Sequence, residues 1–176
     1  MSTKKIMLAV ATVTMASASL AHADTVEQDI QIRAQVPAAS SFVQPVNGWP
    51  TNAVDFGYNV FTKQLQNPQA IALKMQNNQG GTKGGQIMAH LATPAVLSDG
   101  TTGDDIPVDV KISSTSVATP VKLNTTPQAI YTNNTGVEED GSLSMSVANS
   151  APAPKAGMNY QGTVGLIFDF QPVASK

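Results

Sequence analysis

The chain has 176 residues, no cysteine and a formal net charge of −2. Charged residues make up 12% and aromatic residues 5%, a composition that suits all-β surface proteins better than helical enzymes. There is no basic patch to favour nucleic acid as a partner, and the lack of cysteine excludes disulfides as a source of stability.

The N-terminus has the features of a secretory signal. Lys4 and Lys5 precede an apolar run over residues 6–20 and an A-x-A cleavage site at residues 21–23. A membrane anchor is the less favoured alternative, because a spanning helix needs ~20 apolar residues. We predict a signal peptide over residues 1–23. Its removal takes the basic residues from 10 to 8 against 12 acidic ones, a net charge of −4.

A predicted strand follows the cleavage site at once. Residues 26–36 alternate with a period of two, as in a half-buried strand, and Pro37 ends it because proline lacks the N–H that a ladder needs. We therefore separate residues 24–37, an N-terminal extension, from a main domain over residues 38–176. One face of the strand, on which only the glutamine is polar, consists of Val26, Gln28, Ile30, Ile32, Ala34 and Val36.

In the first half of the main domain, the sequence pattern predicts two strands between loops. Residues 38–52 resemble a loop, whose Phe42, Val43 and Trp49 would cover one end of a sandwich. Strands are expected over residues 54–60 and 71–75, followed by a flexible hairpin loop over residues 77–85. This glycine-rich loop lacks the spacing and the strand–loop–helix context of a phosphate-binding loop.

In the second half of the main domain, the sequence pattern predicts further short strands. Extended runs cover residues 86–91 and 106–112, with Pro107 marking a strand start or an edge. Weaker or shorter runs cover residues 117–123 and 129–131, and an acidic loop is expected over residues 133–141. Two alternating strands end the chain, one with Leu143, Met145 and Val147 on one face, the other with Val164, Leu166, Phe168 and Phe170. Short strands between turn signals, with no convincing helical period, indicate a β-sandwich.

The inventory for catalysis is small. His90 is the one histidine of the mature chain, and we interpret it as an ordinary sheet residue. One histidine without cysteine does not make the usual zinc sites or Cys–His nucleophiles, and no G-x-S-x-G motif is present. The acidic clusters at residues 99–105 and 138–140 lack calcium-loop spacing and are expected to be solvated. We predict no catalytic residue, no metal and no cofactor.

Both termini of the mature chain carry the motifs of a known family. The first motif comprises Val26, Glu27, Ile30, Ile32, Ala34, Val36 and Pro37, and the second comprises Ala156, Gly157, Tyr160 and Gly162. Together with the signal peptide they resemble major pilins of the alternate chaperone–usher, or alpha-fimbrial, family, whose type member is the colonisation factor antigen I pilin. Pro37 comes one residue earlier than in that family, and Met158 is an insertion.

The resemblance implies an all-β, immunoglobulin-like sandwich that lacks one strand. The N-terminal donor strand of a neighbouring subunit would complete it, after a periplasmic chaperone and an outer-membrane usher had handled the subunit. From pattern alone, the same strand could equally belong to a complete sandwich folded in cis. The groove that accepts the donor strand is predicted on the inward faces of the last two strands, with Leu143, Met145, Val147, Val164, Leu166, Phe168 and Phe170.

The leading hypothesis is therefore the structural major subunit of an adhesive fimbria on the cell surface, with other copies of itself and a tip adhesin as partners. The alternative is a minor or tip subunit that binds a host glycan directly. A tip adhesin would need an additional lectin domain, and the 153 mature residues (176 − 23) leave little room for one. The third hypothesis is a small secreted hydrolase, and the absence of any catalytic spacing in the sequence argues against it.

Overall fold

The computed structural model describes residues 41–80, 84–101 and 103–172. These ranges contain strands and no helix, and in them no segment forms a helix long and apolar enough to cross a membrane. The strands, in chain order, are β1 (Ser41–Pro45), β2 (Tyr58–Asn59), β3 (Gln64–Leu65), β4 (Ile71–Asn77), β5 (Gly85–Leu91), β6 (Val96–Leu97), β7 (Ile106–Ser114), β8 (Val121–Lys122), β9 (Gln128–Asn133), β10 (Glu139–Val147) and β11 (Leu166–Pro172).

The strands form two main sheets and a small hairpin. The larger sheet has the order β1-β4-β10-β7-β6, with β8 also paired to β7, and the smaller sheet has the order β11-β5-β9. The hairpin consists of β2 and β3. Every strand pair within the described ranges is antiparallel. The fold is thus an all-β sandwich of the immunoglobulin-like type.

Period-two alternation builds the core between the sheets. Along β7 the residues alternate strictly between buried and half-buried, and β5 shows the same pattern. Because successive side chains point to opposite faces of a sheet, each strand gives one apolar row to the interior. The fully buried side chains include Leu73, Met75, Ile87, Val110, Ile112, Ile130 and Tyr131.

The sandwich has two ends, which we name after the first and last residues of β4. At the Asn77 end lie Ser41 of β1, which pairs with Asn77, and Pro172 of β11, which pairs with Gly85. At the Ile71 end lies Leu143, which pairs with Ile71, and β10 continues beyond it to its last residue.

The structure confirms the predicted strands in β4, β5, β7, β9, β10 and β11. Pro107 is the second residue of β7, which agrees with its interpretation as a strand start. The faces of β11 are also as predicted, since Ile167 and Asp169 are exposed whereas Phe168 is half-buried. Alternation thus identified the longer strands and their inward faces.

Three predictions about the first half are wrong. Residues 41–45 form strand β1 rather than a loop, because they pair with β4 over five residues. Of residues 54–60 only Tyr58–Asn59 is a strand, because this segment leaves the sheets to form the hairpin with β3. The connection over residues 77–85 is not a hairpin loop, because β4 and β5 belong to different sheets.

Two predictions about the second half need correction. The run over residues 117–123 forms only the two-residue strand β8, since Pro120 cannot donate to a ladder. The predicted acidic loop at residues 133–141 ends early, because Glu139 begins β10 and is buried.

Candidate functional site: the free edges of the two sheets

One side of the sandwich carries a free strand edge from each sheet. Strand β1 pairs with β4 alone and β11 with β5 alone among the described strands. Both edges lie on the same side, because side chains at the Asn77 end link them. An edge strand presents a row of backbone N–H and C=O groups that can pair with another strand. The two edges and the space between them form the candidate site, which we call the edge groove.

The side chain of Asn77 joins the two sheets at one end of the edge groove. Its Oδ1 accepts hydrogen bonds from Ser41 Oγ and Gln79 N, each 3.0 Å long. Its Nδ2 donates to Gln86 O at 2.8 Å and to Gln171 O at 2.9 Å. The residue is fully buried, and a Cβ on Gly85 would collide with its side chain. Asn77 therefore fixes β1, β4, β5 and β11 relative to one another.

The opposite side of the sandwich is bonded across the sheets. The backbone N–H of Leu91 in the smaller sheet donates to Asn124 O at 2.7 Å, and the N–H of Thr132 donates to Ser116 Oγ at 3.0 Å. Leu123 N in turn bonds to Val110 O of the larger sheet at 2.8 Å. These hydrogen bonds join the two sheets on the side that lies away from β1 and β11. The other side has the free edges of β1 and β11 instead.

The inward face of β11 is less buried than that of its neighbour. Leu166, Phe168 and Phe170 are half-buried and pack against the core, as does Val164 just before the strand. In β5, by contrast, the inward residues Ile87 and Ala89 are fully buried. A half-buried apolar row beside a backbone edge that no other described strand pairs with is suited to the burial of one further strand.

Strand β10 occupies a different position from β11. It lies between β4 and β7 and pairs with both, so only its inward side chains are available to a groove. Leu143 is buried in the core, Met145 is half-buried against it, and Val147 is half-buried at the Ile71 end. The structure brings Leu143 and Met145 into one core with β11. Their role in accepting a strand stays a prediction.

The predicted donor-strand residues Val26, Gln28, Ile30, Ile32, Ala34 and Val36 lie outside the described residues. The same holds for the predicted signal peptide. The first described residue, Ser41, enters β1 at the Asn77 end.

The acidic residues of the chain hold strands and turns. The Glu139 carboxylate accepts from Ser116 N at 2.8 Å and from Asn133 Nδ2 at 2.5 Å. Lys74 Nζ lies 2.9 Å from Glu138 Oε1 and 2.8 Å from Asp140 Oδ1, and these two carboxylates raise its pKa, Asp140 contributing most. Within the described ranges no group of three or more His, Cys, Asp or Glu side chains is placed to hold a metal ion.

The loops at residues 99–105 are held by similar local bonds. Thr101 donates through its hydroxyl and its backbone N–H to the Asp99 carboxylate, which lowers the pKa of Asp99. Lys155 pairs with Asp104, and this bond raises the pKa of the lysine. His90 lies in β5 opposite Ile167. These groups are spread over loops and a sheet and do not converge on one site.

Sequence reasoning missed two parts of the edge groove. It assigned β1 to a loop, although Val43 in that strand is buried, because five residues between prolines and polar residues give a weak alternation. It also placed Asn77 in a flexible loop, since asparagines and glycines are typical of turns. No signal in the sequence separates Asn77 from its neighbour Asn78.

Comparisons with known proteins agree with this architecture. The sequence pattern of the family described as CS1 type fimbrial major subunit matches residues 26–169. The structure of the CooA pilin subunit from enterotoxigenic Escherichia coli matches with a TM-score of 0.53 and 21% identity, over 74% of this chain and 87% of that chain. The P pilus rod subunit PapA matches with a TM-score of 0.40 and 11% identity, over 76% and 100% of the two chains. No curated protein gives a match.

The fold is therefore that of a fimbrial pilin subunit, which is a structural protein. The chain belongs to the CS1 type fimbrial major subunit family, and the predicted resemblance to alpha-fimbrial major pilins is confirmed. Membership of this family implies that the protein is exported and resides at the cell surface in a fimbrium.

Proposed function

We propose that this protein is the polymerising major subunit of its fimbria and that the edge groove receives the N-terminal strand of a neighbouring subunit. The observation that carries the proposal is the edge of β11, which no other described strand pairs with, together with its half-buried apolar row. Residues 26–36 supply a strand of matching character, with aliphatic side chains at every second position but one.

Strand addition would satisfy both features of the edge groove. Backbone pairing along the seven residues of β11 would use the free N–H and C=O groups, and the alternate side chains would cover the apolar row. Burial of each large aliphatic side chain contributes about 1.5–3 kcal/mol. The Ile30 and Ile32 side chains of the donor strand are the largest contributors of this kind.

The same contact explains a filament. Donation from one subunit to the next is a head-to-tail contact between two different surfaces, and such contacts produce open fibres when the rotation does not close a ring. Before assembly the edge groove would expose apolar surface and a free edge, which is an aggregation hazard. In the proposed pathway, a periplasmic chaperone covers the edge groove, and an outer-membrane usher catalyses the replacement of the chaperone by the donor strand. An adhesin lies at the tip of the filament.

Electrophoresis of surface-sheared protein in SDS without heating tests the exchange. We expect a ladder of multimers that collapses to monomer on boiling and is absent when residues 24–36 are deleted. A single monomer band from the intact chain would show that the N-terminal strand folds in cis or has no role in assembly.

Two point variants test which face of the donor strand is inserted. Ile30→Asp places a charge on the predicted inward face and should abolish the multimer ladder, because an unpaired charge would be buried. Gln31→Asp places the same charge on the outward face and should leave the ladder unchanged. Equal ladders from both variants would contradict the assigned face.

A further inference from the structure

The exposed apolar side chains are unevenly distributed. Eight large hydrophobic residues are exposed in the described ranges, and five of them lie between residues 46 and 61. Phe61 is 93% exposed and Val60 is 66% exposed. The others in this segment are Val46, Trp49 and Tyr58. Contiguous exposed apolar surface marks a contact with a partner, and Val60 and Phe61 are adjacent residues at the turn between β2 and β3.

The backbone around Phe61 is fixed by hydrogen bonds. Asn59 Oδ1 accepts from Phe61 N at 2.9 Å and from Thr62 N at 3.1 Å, and Asn59 O accepts from Lys63 N at 2.8 Å. Lys63 closes the turn with a φ of 56°, a left-handed conformation that is uncommon for a residue other than glycine. These hydrogen bonds order the backbone of the hairpin tip that carries Phe61. A contact made by Phe61 therefore costs less conformational entropy than one made by a flexible loop.

The hairpin belongs to the Ile71 end of the sandwich. Asn67, just after β3, accepts through Oδ1 from Val147 N at 3.2 Å, and Val147 is the last residue of β10. Val46 lies at the same end, since its N–H donates to Ala72 O at 3.0 Å. The Asn77 end has an exposed apolar residue of its own, Val137, which is 52% exposed in the loop before β10.

The direction of strand addition decides which ends meet, and this step rests on the proposed function. Every described strand pair is antiparallel, and antiparallel pairing is the more stable arrangement. An incoming strand antiparallel to β11 would begin at the Asn77 end and leave at the Ile71 end. Four residues, 37–40, then separate it from its own β1 at the Asn77 end of the donating subunit. The five Cα–Cα steps from residue 36 to Ser41 span ~18 Å at most.

We propose that the hairpin tip, with Phe61 and Val60, packs in the filament on the loop over residues 134–138 of the subunit that donates the strand. The short connection holds the Ile71 end of one subunit against the Asn77 end of the next. The charges beside the two apolar sites are also opposite. Lys63 is next to the tip, whereas Glu138 and Asp140 follow Val137 and share the single positive charge of Lys74. The contact is separate from the edge groove and orients successive subunits after strand exchange has joined them.

Cysteine cross-linking tests this contact directly, because the native chain has no cysteine. Filaments of the double variant Phe61→Cys/Val137→Cys are treated with a short bismaleimide and then boiled in SDS. We expect a ladder of covalent multimers that survives boiling. The matched control is Phe61→Cys/Ile167→Cys, in which the second cysteine lies on the exposed outer face of β11, and it should give monomer after boiling.

Each outcome has a defined meaning. No covalent ladder from filaments that still show the heat-sensitive multimer ladder would overturn the hairpin contact and leave strand exchange intact. A covalent ladder from Val137→Cys alone would indicate that two Asn77 ends meet, which also overturns it. If intact protein shows no heat-sensitive ladder, the proposed function itself fails.

A second variant measures what the contact does. Phe61→Asp should retain the heat-sensitive ladder, because the side chain is exposed and outside the edge groove, but its filaments should lose helical order and bend more in electron micrographs. Filaments as straight as wild type would contradict an orienting role.

Discussion

A single buried side chain, Asn77, connects four strands at one end of the edge groove. Its four hydrogen bonds join Ser41, Gln79, Gln86 and Gln171, and two of these partners belong to strands with free edges. A buried polar network whose members are all satisfied makes packing specific. Asn77 therefore sets the separation of β1 and β11 at that end.

Replacement of Asn77 by alanine should destabilise the subunit. Loss of four hydrogen bonds at ~0.5–1.5 kcal/mol each predicts a decrease of about 2–6 kcal/mol in the free energy of unfolding, measured by urea denaturation. Asn78→Ala is the control, because Asn78 Oδ1 is buried without a partner among the described residues. Its removal should change stability by less than ~0.5 kcal/mol, so equal losses would contradict the assigned role of Asn77.

Tyr131 should make stability depend on pH in the alkaline range. Burial raises the pKa of its phenol, with a smaller contribution from Glu139, and its hydroxyl donates to Val137 O at 2.8 Å. The folded state thus holds this proton more tightly than the unfolded state, where the pKa is ~10. The raised pKa of Tyr131 therefore stabilises the folded state fully below pH ~10, and this stabilisation is lost as the pH rises towards the folded-state pKa.

In the variant Tyr131→Phe, the free energy of unfolding should therefore decrease less steeply with pH above about pH 10. Urea denaturation at a series of pH values measures this slope. The variant should also be less stable at neutral pH by ~1 kcal/mol, because one hydrogen bond is lost. Tyr58→Phe serves as the control, since the Tyr58 side chain is exposed, and it should keep the wild-type slope. A wild-type slope in Tyr131→Phe would show that other groups govern this range.

Among the described strands, β11 combines an edge that none of the others pairs with and an apolar face that is only partly buried. Its inward residues pack on the core of the sandwich, yet they remain more exposed than those of β5. Strand β1 bounds the other side of the edge groove and is short, with only five residues. These two strands, rather than the central strand β10, provide the backbone groups with which an added strand can pair.

Neighbouring residues of β11 offer a matched test of the edge groove. Phe168→Asp places a charge on the inward face and should abolish the heat-sensitive multimer ladder, whereas Ile167→Asp, on the exposed face, should retain it. Circular dichroism of both subunits checks that the sheets form. If a folded Phe168→Asp subunit polymerised normally, the inward face of β11 would not be the acceptor surface.

At the scale of the whole molecule, the described residues form a sandwich with one side bonded across the sheets and two free strand edges on the other side. The closed side is bonded across the sheets through Asn124 and Ser116, and the open side faces the proposed donor strand. Strand β11 ends at Pro172, at the Asn77 end, where an antiparallel strand would begin.

A copy of residues 24–37 fused after Lys176 through a short turn should therefore fill the edge groove in cis. We expect a monomer that no longer polymerises and unfolds at a higher temperature. Each 1 kcal/mol of added stability raises the midpoint by ~2–4 °C for a domain of this size, so a rise of about 10 °C would correspond to a few kcal/mol. A fusion with Ile30→Asp and Ile32→Asp in the added copy is the control and should show no rise.

The sequence alone determined the β-class, the longer strands and their inward faces, because period-two alternation is a local property that burial on one side of a sheet imposes. Its terminal motifs also identified the family. Only the tertiary structure decided that residues 41–45 form an edge strand, that β10 is central and β11 is at an edge, and that Asn77 is buried. Alternation specifies which face of a strand is buried but not which strand lies beside it. Neighbours and the environment of a single polar side chain depend on contacts between residues far apart in the chain, such as Asn77 and Gln171.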